Sequence, residues 1–221
     1  VIGELAPWQA TFFIVGLPGL LLSVLFLFLR EPLRSGGPAA AGGSLPDMLK
    51  HVLARWRLYG GFVSVFCFMT IVAYSQGWGA ALFERTWGWE TSYYASINGV
   101  LLIICGPAAV LSAGWLCDHW IAQGKRDAPM KIALFGVFAT VLTGAVFPLM
   151  PTAPLAMGLF ALNNMGIGVT SAMGVTALLR IAPGPVKAQT VALYYMCISM
   201  AGLFLGPTAV ALLNDHVFGV E

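Results

Sequence analysis

The feature that most constrains this chain is a set of six long stretches that contain no Asp, Glu, Lys or Arg. Only 9% of the 221 residues are charged and 59% are hydrophobic, whereas soluble domains carry about 25% charged residues. A hydrocarbon core of about 30 Å is crossed by roughly 20 apolar helical residues, so each stretch can cross once. The sequence therefore predicts an all-α, polytopic membrane helix bundle with six transmembrane helices.

The predicted membrane segments are joined by short polar turns, except after the first. They are Trp8–Leu29, Tyr59–Phe83, Tyr93–Cys117, Ile132–Met150, Leu155–Leu179 and Ala188–Leu213. The Gly-, Ala- and Pro-rich stretch Leu33–Ser44 predicts a flexible linker. In Ser44–Arg57, apolar residues recur at helical spacing among basic ones, which predicts a short amphipathic helix on the membrane surface. A soluble linker helix is the alternative.

The basic residues predict the orientation of the segments. If the loops alternate between the two sides, one side carries ten of the eleven Lys and Arg residues, and the other carries Arg85 alone. The excess of positive charge predicts that the linker side is cytoplasmic. No run of Lys or Arg is long enough to indicate nucleic-acid binding. The ten are Arg30, Arg34, Lys50, Arg55, Arg57, Lys125, Arg126, Lys131, Arg180 and Lys187.

Signals for enzyme chemistry are weak in this sequence. The three histidines sit at segment boundaries without metal-ligand spacing, and no nucleophile or phosphate-binding motif is present. The four cysteines lack C-x-x-C spacing and are predicted to be small buried hydrophobes. We therefore predict no catalytic residue, no metal and no cofactor, and a protein that is not an enzyme. No charged residue lies deep inside a segment, although ion-coupled carriers usually need an intramembrane acid.

Polar side chains at membrane depth are the candidates for a functional site, because such groups are costly in a bilayer. Amides and phenols can bind the polar part of a solute inside an otherwise apolar cavity. Hydrogen bonding between helices, without any substrate, is the alternative interpretation. The predicted cavity residues are Tyr74, Gln76, Asn98, Asn163, Asn164 and Tyr194.

An internal echo links the third and sixth segments, which run in opposite directions. The third contains Gly106–Val110, read as GPAAV, and the sixth contains Gly206–Val210, read as GPTAV. A shared Gly-Pro in oppositely oriented helices is what an inverted repeat of three helices would give. Chance similarity between two apolar runs is the alternative.

The end of the third segment carries a family resemblance. Residues Gly114–Arg126 read GWLCDHWIAQGKR and resemble the G-x-L-x-D-[RK]-x-G-[RK]-[RK] loop of the major facilitator superfamily. They depart from that pattern at His119, where a basic residue is usual, and in extra residues before Gly124. The resemblance implies a conformational loop in which Asp118 holds the start of the sixth helix. Its residues would be Gly114, Asp118, Gly124, Lys125 and Arg126.

Other pieces are similar to the bacterial spinster-like group of that superfamily: Phe13–Leu20, Trp56–Gly61, Gln189–Tyr194 and Gly202–Thr208. The resemblance implies a fragment that matches helices six to eleven of a twelve-helix transporter. Residues 1–30 would be the last helix of the N-terminal bundle, 31–58 the cytoplasmic linker with its amphipathic helix, and 59–221 an incomplete C-terminal bundle. The N-terminal helices of the same protein would then be partners of this chain.

The function implied by this resemblance is secondary active transport by alternating access in a bacterial inner membrane. The solute would be small and amphipathic or lipid-like, and any proton coupling would depend on the N-terminal half. An organic-anion or drug carrier of the same superfamily is the alternative. The rivals from other classes are a membrane scaffold and a lipid-modifying enzyme.

Overall fold

The computed structural model of this protein describes residues 7–28 and 44–218, and the side chains of residues 9–28 and 44–216. The described residues form helices and turns, and six helical stretches are long and apolar enough to cross a membrane. The predicted all-α membrane bundle with six transmembrane helices is confirmed. The six spans are Gln9–Leu27, Trp56–Trp87, Thr91–Ala122, Ala128–Leu149, Ala153–Ile181 and Gly184–His216.

The chain divides into two units, residues 1–40 and 41–221. The first unit holds one described helix, α1 (Pro7–Leu27), which is apolar on all sides. A helix that is hydrophobic all round suits a membrane span. Pro18 lies inside α1 without ending it, as membrane helices tolerate. The linker predicted at Leu33–Ser44 lies outside the described residues, apart from Ser44.

The second unit holds seven α-helices, counted over the residues that the structure describes. Their bounds are α2 (Leu45–Ala54), α3 (Trp56–Ser75), α4 (Gly79–Trp87), α5 (Thr91–Ala122), α6 (Ala128–Val146), α7 (Ala153–Ile181) and α8 (Lys187–Leu213). Because α3, α6 and α8 run away from α2 while α5 and α7 run back towards it, the unit has an α2 end and an opposite end. We call the opposite end the Arg85 end.

Helix α2 begins at a capping box. The Ser44 hydroxyl accepts a bond from the Asp47 backbone N–H, and the Asp47 carboxylate accepts bonds from the Ser44 hydroxyl and backbone N–H. These bonds from Ser44 hold the pKa of Asp47 below its usual value. Met48 is buried against the unit, whereas Leu45 and Leu53 are 61% and 66% exposed. The helix is shorter than predicted, because the chain turns at Arg55 and α3 begins at Trp56.

The second predicted segment is broken near its end. A 3₁₀ turn, Gln76–Trp78, separates α3 from α4. The turn is flanked by Gly79, whose Cα faces the Tyr94 hydroxyl of α5 so closely that no side chain would fit. Helix α4 then ends at Gly88, which has a φ of 68°, the left-handed conformation that glycine adopts at no steric cost. Apolar periodicity alone could not reveal this break.

Two pairs of helices pack closely in the second unit. In the α6–α7 pair, Gly136 faces Gly166, and a Cβ added to either would lie 3.0 Å from the carbonyl oxygen of the other. In the α3–α8 pair, Gly202 faces the side chains of Thr70 and Tyr74. Small residues let membrane helices approach to this distance, which gives the dispersion contacts that stabilise such bundles. These two pairs position the cavity described below.

Candidate functional site

A cavity of about 920 Å³ opens at the Arg85 end of the second unit. It lies between the last turns of α3, α6 and α8, the break before α4, and the first half of α7. Its apolar walls include Val72, Trp78, Phe147, Phe160 and Val210. Its polar and charged lining consists of Ser75, Gln76, Arg85, Thr86, Thr140, Asn163, Asn214 and Asp215.

Asn163 is the centre of the polar part of this cavity. It is 1% exposed, and its Oδ1 accepts a hydrogen bond of 2.5 Å from Gln76 Nε2. Its Nδ2 donates to the Thr140 carbonyl oxygen at 2.7 Å and to the Thr143 hydroxyl at 3.1 Å. The amide of Asn163 therefore ties α7 to α6 and to the break after α3. A buried amide with partners on both its oxygen and its nitrogen has a fixed orientation.

The local sequence explains why Asn163 can reach its partners. Gly144 on α6 stands opposite it, and a Cβ there would come within 3.0 Å of Asn163 Nδ2. The 3₁₀ turn that begins at Gln76 interrupts the regular helix at the point where the Gln76 side chain meets α7. The network thus depends on a glycine and on a helix break rather than on the amides alone.

An aromatic cluster fixes α4 beside the cavity. Phe83 is fully buried, with its ring centroid 5.1 Å from that of Tyr94 and 6.1 Å from that of Phe160. Phe147 packs on the other side of Phe160 at 5.3 Å. Aromatic pairs at such separations favour tilted and edge-to-face arrangements. The cluster makes the wall formed by Phe147 and Phe160 rigid and apolar.

The mouth of the cavity carries one cation and one anion. Arg85 and Asp215 both line it and both are exposed. Among the described residues, neither forms an ion pair. Asp215 accepts only a long hydrogen bond, 3.5 Å, from the Asn214 amide. The neighbouring Glu84 instead accepts a bond from the Thr91 hydroxyl at 3.0 Å. The charges of Arg85 and Asp215 are therefore available to a solute.

Two of the six predicted cavity residues, Gln76 and Asn163, line this cavity. Asn164 lies beside Asn163 but donates to the Phe160 carbonyl oxygen of its own helix at 3.0 Å. Tyr74 lies against Gly202 and Gly206 of α8. The remaining two do not line the cavity either, and the role predicted for these four residues stays a prediction.

Tyr194 and Asn98 have contrasting surroundings. Tyr194 is 2% exposed and packs against the rings of Phe62 and Phe66, at 5.9 and 5.7 Å. Asn98 is half-buried in α5, and its Oδ1 has no hydrogen-bond partner among the described residues. An unpaired buried amide oxygen is costly. The described residues supply no hydrogen bond that would offset this cost for Asn98.

The residues of the predicted conformational loop lie partly in helix α5 and partly in the turn after it. Gly114 and Asp118 lie within α5, which continues to Ala122, whereas Gly124, Lys125 and Arg126 lie in the turn that follows. Gly124 has a φ of 84°, which explains a glycine there. Among the described residues Asp118 forms no ion pair, so its predicted hold on the start of α8 stays a prediction.

The turn after α5 contains an ion pair that sequence reasoning did not identify. Lys131 Nζ lies 2.8 Å from an Asp127 carboxylate oxygen, one helical turn apart. The hydrogen bond from Lys131 holds the pKa of the Asp127 carboxyl below its usual value. The i, i+4 spacing of these opposite charges is the signal that could have indicated it.

The sequence reasoning missed the groups that complete the cavity. Thr140 and Thr143 supply acceptors for Asn163, but a threonine in an apolar helix normally bonds its own helix, as both also do here. Arg85 and Asp215 follow the ends of the second and sixth predicted segments. From these positions the sequence gives no sign that the two charges line the same cavity. Over the described residues, no group of three His, Cys, Asp or Glu side chains is placed to hold a metal ion.

A match to a known protein family shows the family to which this chain belongs. Residues 1–207 match the family described as Major Facilitator Superfamily. This chain belongs to the Major Facilitator Superfamily. The recognition of the superfamily from the loop after the third segment is therefore confirmed. Comparison of this superfamily member with curated proteins gives no match.

A solved structure with a similar fold is a bacterial homologue of the human lysosomal transporter Spinster, in an inward-facing and unoccupied conformation. The TM-score is 0.65 at 20% sequence identity, and the likeness covers 98% of this superfamily member. It covers 48% of the other chain, so this sequence spans about half the length of that transporter. The likeness in fold agrees with the resemblance to spinster-like proteins seen in the sequence.

Proposed function

We propose that this protein is part of a secondary active transporter that moves a small amphipathic solute across a membrane by alternating access. The observation that supports the proposal is the cavity at the Arg85 end, which combines the amide pair Gln76 and Asn163 with apolar walls. Its volume, about 920 Å³, lies within the range of small-molecule sites. Superfamily membership supports transport as the activity and gives no support to an enzyme.

The chemistry of the lining supports an amphipathic solute. Phe147, Phe160 and Val210 offer apolar surface, which favours a hydrocarbon portion by about 25 cal/mol per Å² removed from water. Gln76 keeps donor and acceptor capacity beyond its bond to Asn163. Because the Asn163 amide is committed to three partners, Gln76, Thr140 and Thr143, it fixes Gln76 rather than being free to bind the solute. In this proposal Gln76 contacts the solute and Asn163 positions Gln76.

Replacing Asn163 tests this arrangement. In Asn163→Leu, Gln76 loses its partner, and we expect about a tenfold lower kcat/KM for transport, since an unsatisfied buried polar group costs about 1–3 kcal/mol. Asn164→Leu is the matched control, because the Asn164 amide bonds only its own helix. Transport is measured with the intact protein in liposomes, against a panel of lysolipids, sugars and organic anions, together with proton flux.

The control also separates transport from folding. Hydrogen bonds between membrane helices contribute about 0.6 kcal/mol on average to stability, so Asn163→Leu is expected to remain folded in detergent. Equal transport by the two leucine variants would refute the role of Asn163. Failure of the parent protein to move any compound in the panel would count against the amphipathic solute itself.

The charges at the cavity mouth favour a second candidate, an organic-anion carrier. Among the described residues, Arg85 is the one basic side chain that lines the cavity, and a guanidinium binds carboxylate or phosphate with two parallel hydrogen bonds. Asp215 in the same lining would oppose a simple anion but would suit a zwitterionic headgroup. The two candidates therefore make different predictions for these two residues.

Two charge-removing variants distinguish these candidates. Loss of transport in Arg85→Gln alone, with Asp215→Asn unimpaired or faster, indicates an anion. Loss in both variants indicates a zwitterionic amphipath. Glu84→Gln is the matched control, since Glu84 neighbours Arg85 but does not line the cavity. If neither variant differs from this control, the charges at the mouth do not contact the solute.

A further inference from the structure

A basic cleft lies at the α2 end of the second unit, far from the cavity at the Arg85 end. It forms where α5 and α7 end and α8 begins, and it encloses about 730 Å³. Three cationic side chains line it, Arg126, Arg180 and Lys187, and no carboxylate from the described part of the chain does. Three like charges around one space attract an anion, and their mutual repulsion falls when an anion binds.

The acidic groups on neighbouring elements leave these cations uncompensated. Asp127 is ion-paired with Lys131 at 2.8 Å, and Asp47 of α2 is occupied by bonds from Ser44. Asp118 lies near the end of α5 but does not line the cleft. Within residues 44–218, none of the three cations forms an ion pair.

The start of α8 adds to the positive potential of the cleft. Lys187 is the first residue of this 27-residue helix, and no side chain caps the N-terminus. The N–H of Lys187 donates to the Gly184 carbonyl oxygen of the 3₁₀ turn that precedes α8, but the helix dipole still places partial positive charge at this end and favours an anion. The dipole therefore adds to the Lys187 charge.

The cleft also has apolar walls at the level where the membrane spans end. Ile121 and Leu179 line it, and Leu179 is 39% exposed. The spans of α5 and α7 end at Ala122 and Ile181, so the cleft lies at the boundary between hydrocarbon and water. An occupant that combines a phosphate with an apolar part matches both kinds of lining, and a basic pocket between membrane helices suits an anionic lipid headgroup.

We propose that the cleft formed by Arg126, Arg180 and Lys187 binds the phosphate of an anionic membrane phospholipid. The lipid headgroup would bridge the ends of α5 and α7 and the beginning of α8. This role is distinct from the transported solute, because the cleft lies at the other end of the unit. It also gives Arg126 a function other than movement of the loop.

Native mass spectrometry of the intact protein tests this proposal. The protein is titrated in detergent with phosphatidylglycerol and with phosphatidylcholine of equal chain length, and with soluble glycerol phosphate as competitor. We expect tighter binding of phosphatidylglycerol. Its apparent affinity should fall about fivefold for each cation removed in Arg180→Gln and Lys187→Gln, as expected for basic side chains near anionic lipid.

Two further variants control for charge and folding. Arg57→Gln removes a cation that does not line the cleft and should keep the lipid preference. Arg180→Lys keeps the charge and should keep most of the lipid preference, even if Arg180→Gln folds poorly. Equal affinity for both lipids in the parent, or an equal loss in Arg57→Gln, would overturn the proposal. Displacement of the lipid by equimolar glycerol phosphate would retain the phosphate site but overturn the lipid as its occupant.

Discussion

The α6–α7 pair and the α3–α8 pair both bring two membrane helices close together, but their glycines are placed differently. Between α6 and α7, Gly136 and Gly166 face one another, one from each helix, so backbone meets backbone. Between α3 and α8, both glycines belong to α8: Gly206 meets the Ile71 backbone carbonyl oxygen, whereas the nearest neighbours of Gly202 are the side chains of Thr70 and Tyr74. A side chain can change its rotamer, whereas a helix backbone cannot move without displacing its own hydrogen bonds, so the contact at Gly202 is the more adaptable one.

The cavity joins the two pairs. Asn163 belongs to the α6–α7 pair, and Gln76 follows α3 of the α3–α8 pair. Their hydrogen bond therefore links one pair to the other.

The largest effect is expected from Gly166→Ala. Its methyl group would come within 3.0 Å of the Gly136 carbonyl oxygen and of the Thr140 backbone nitrogen. Overpacking of this kind costs about 1–3 kcal/mol in the free energy of unfolding. Gly158→Ala on the same helix is the control, since nothing lies within 4 Å of an added Cβ there. Denaturation of both variants in mixed micelles provides the measurement, and equal stability would contradict a backbone-limited contact.

A smaller loss is expected from Gly202→Ala, about 1 kcal/mol, because its obstructing neighbours are side chains. One of them is the Thr70 methyl group, so Thr70→Ser should restore part of the lost stability in the double variant. Thr140→Ala removes the hydroxyl nearest to the added methyl group of Gly166→Ala but should not rescue that variant, because the backbone obstruction remains. A double-mutant cycle measures both couplings. Rescue at both glycines, or at neither, would remove the distinction between Gly166 and Gly202.

The smallest effect is expected from Tyr194→Phe, in which the free energy of unfolding changes by about 0.5 kcal/mol or less. Tyr194 packs its ring against Phe62 and Phe66, and its hydroxyl donates no hydrogen bond to the described residues. Transport should also be unchanged if the residue serves only the α3–α8 packing. A marked fall in transport, with stability retained, would instead support the cavity role predicted for Tyr194 from the sequence.

The membrane-spanning helices could be predicted from the sequence, whereas the contacts that shape the site could not. The six spans follow from runs of uncharged residues, which a bilayer requires whatever the packing. The break at Gln76–Trp78 did not follow, because it lies inside a run without charged residues and the close neighbour of Gly79, Tyr94, belongs to another helix. The Gly-Pro echo shows the same limit: Gly206 meets α3 closely, whereas Gly106 has nothing within 4 Å. The same Gly-Pro pair thus lies in different surroundings.

Two polar residues that are adjacent in the sequence have different surroundings in the structure. Asn163 and Asn164 are chemically identical and adjacent, yet their side chains point about 100° apart around the helix. Only Asn163 faces α6 and Gln76. From the sequence, both residues can be recognised as polar groups that are costly in a membrane. The helix that each side chain faces cannot be predicted from it.

The sequence by itself determined that this chain crosses a membrane six times, and its loop after the third segment indicated the superfamily. Both are local properties, since they depend on the length, apolarity and order of residues along one segment. Only the tertiary structure decided that Gln76 meets Asn163, that Arg85 and Asp215 share a cavity mouth, and that Arg126, Arg180 and Lys187 share a cleft. Those groupings depend on which helices pack together and at what rotation, and helix contacts in a bilayer are set by close packing of small residues rather than by hydrophobicity.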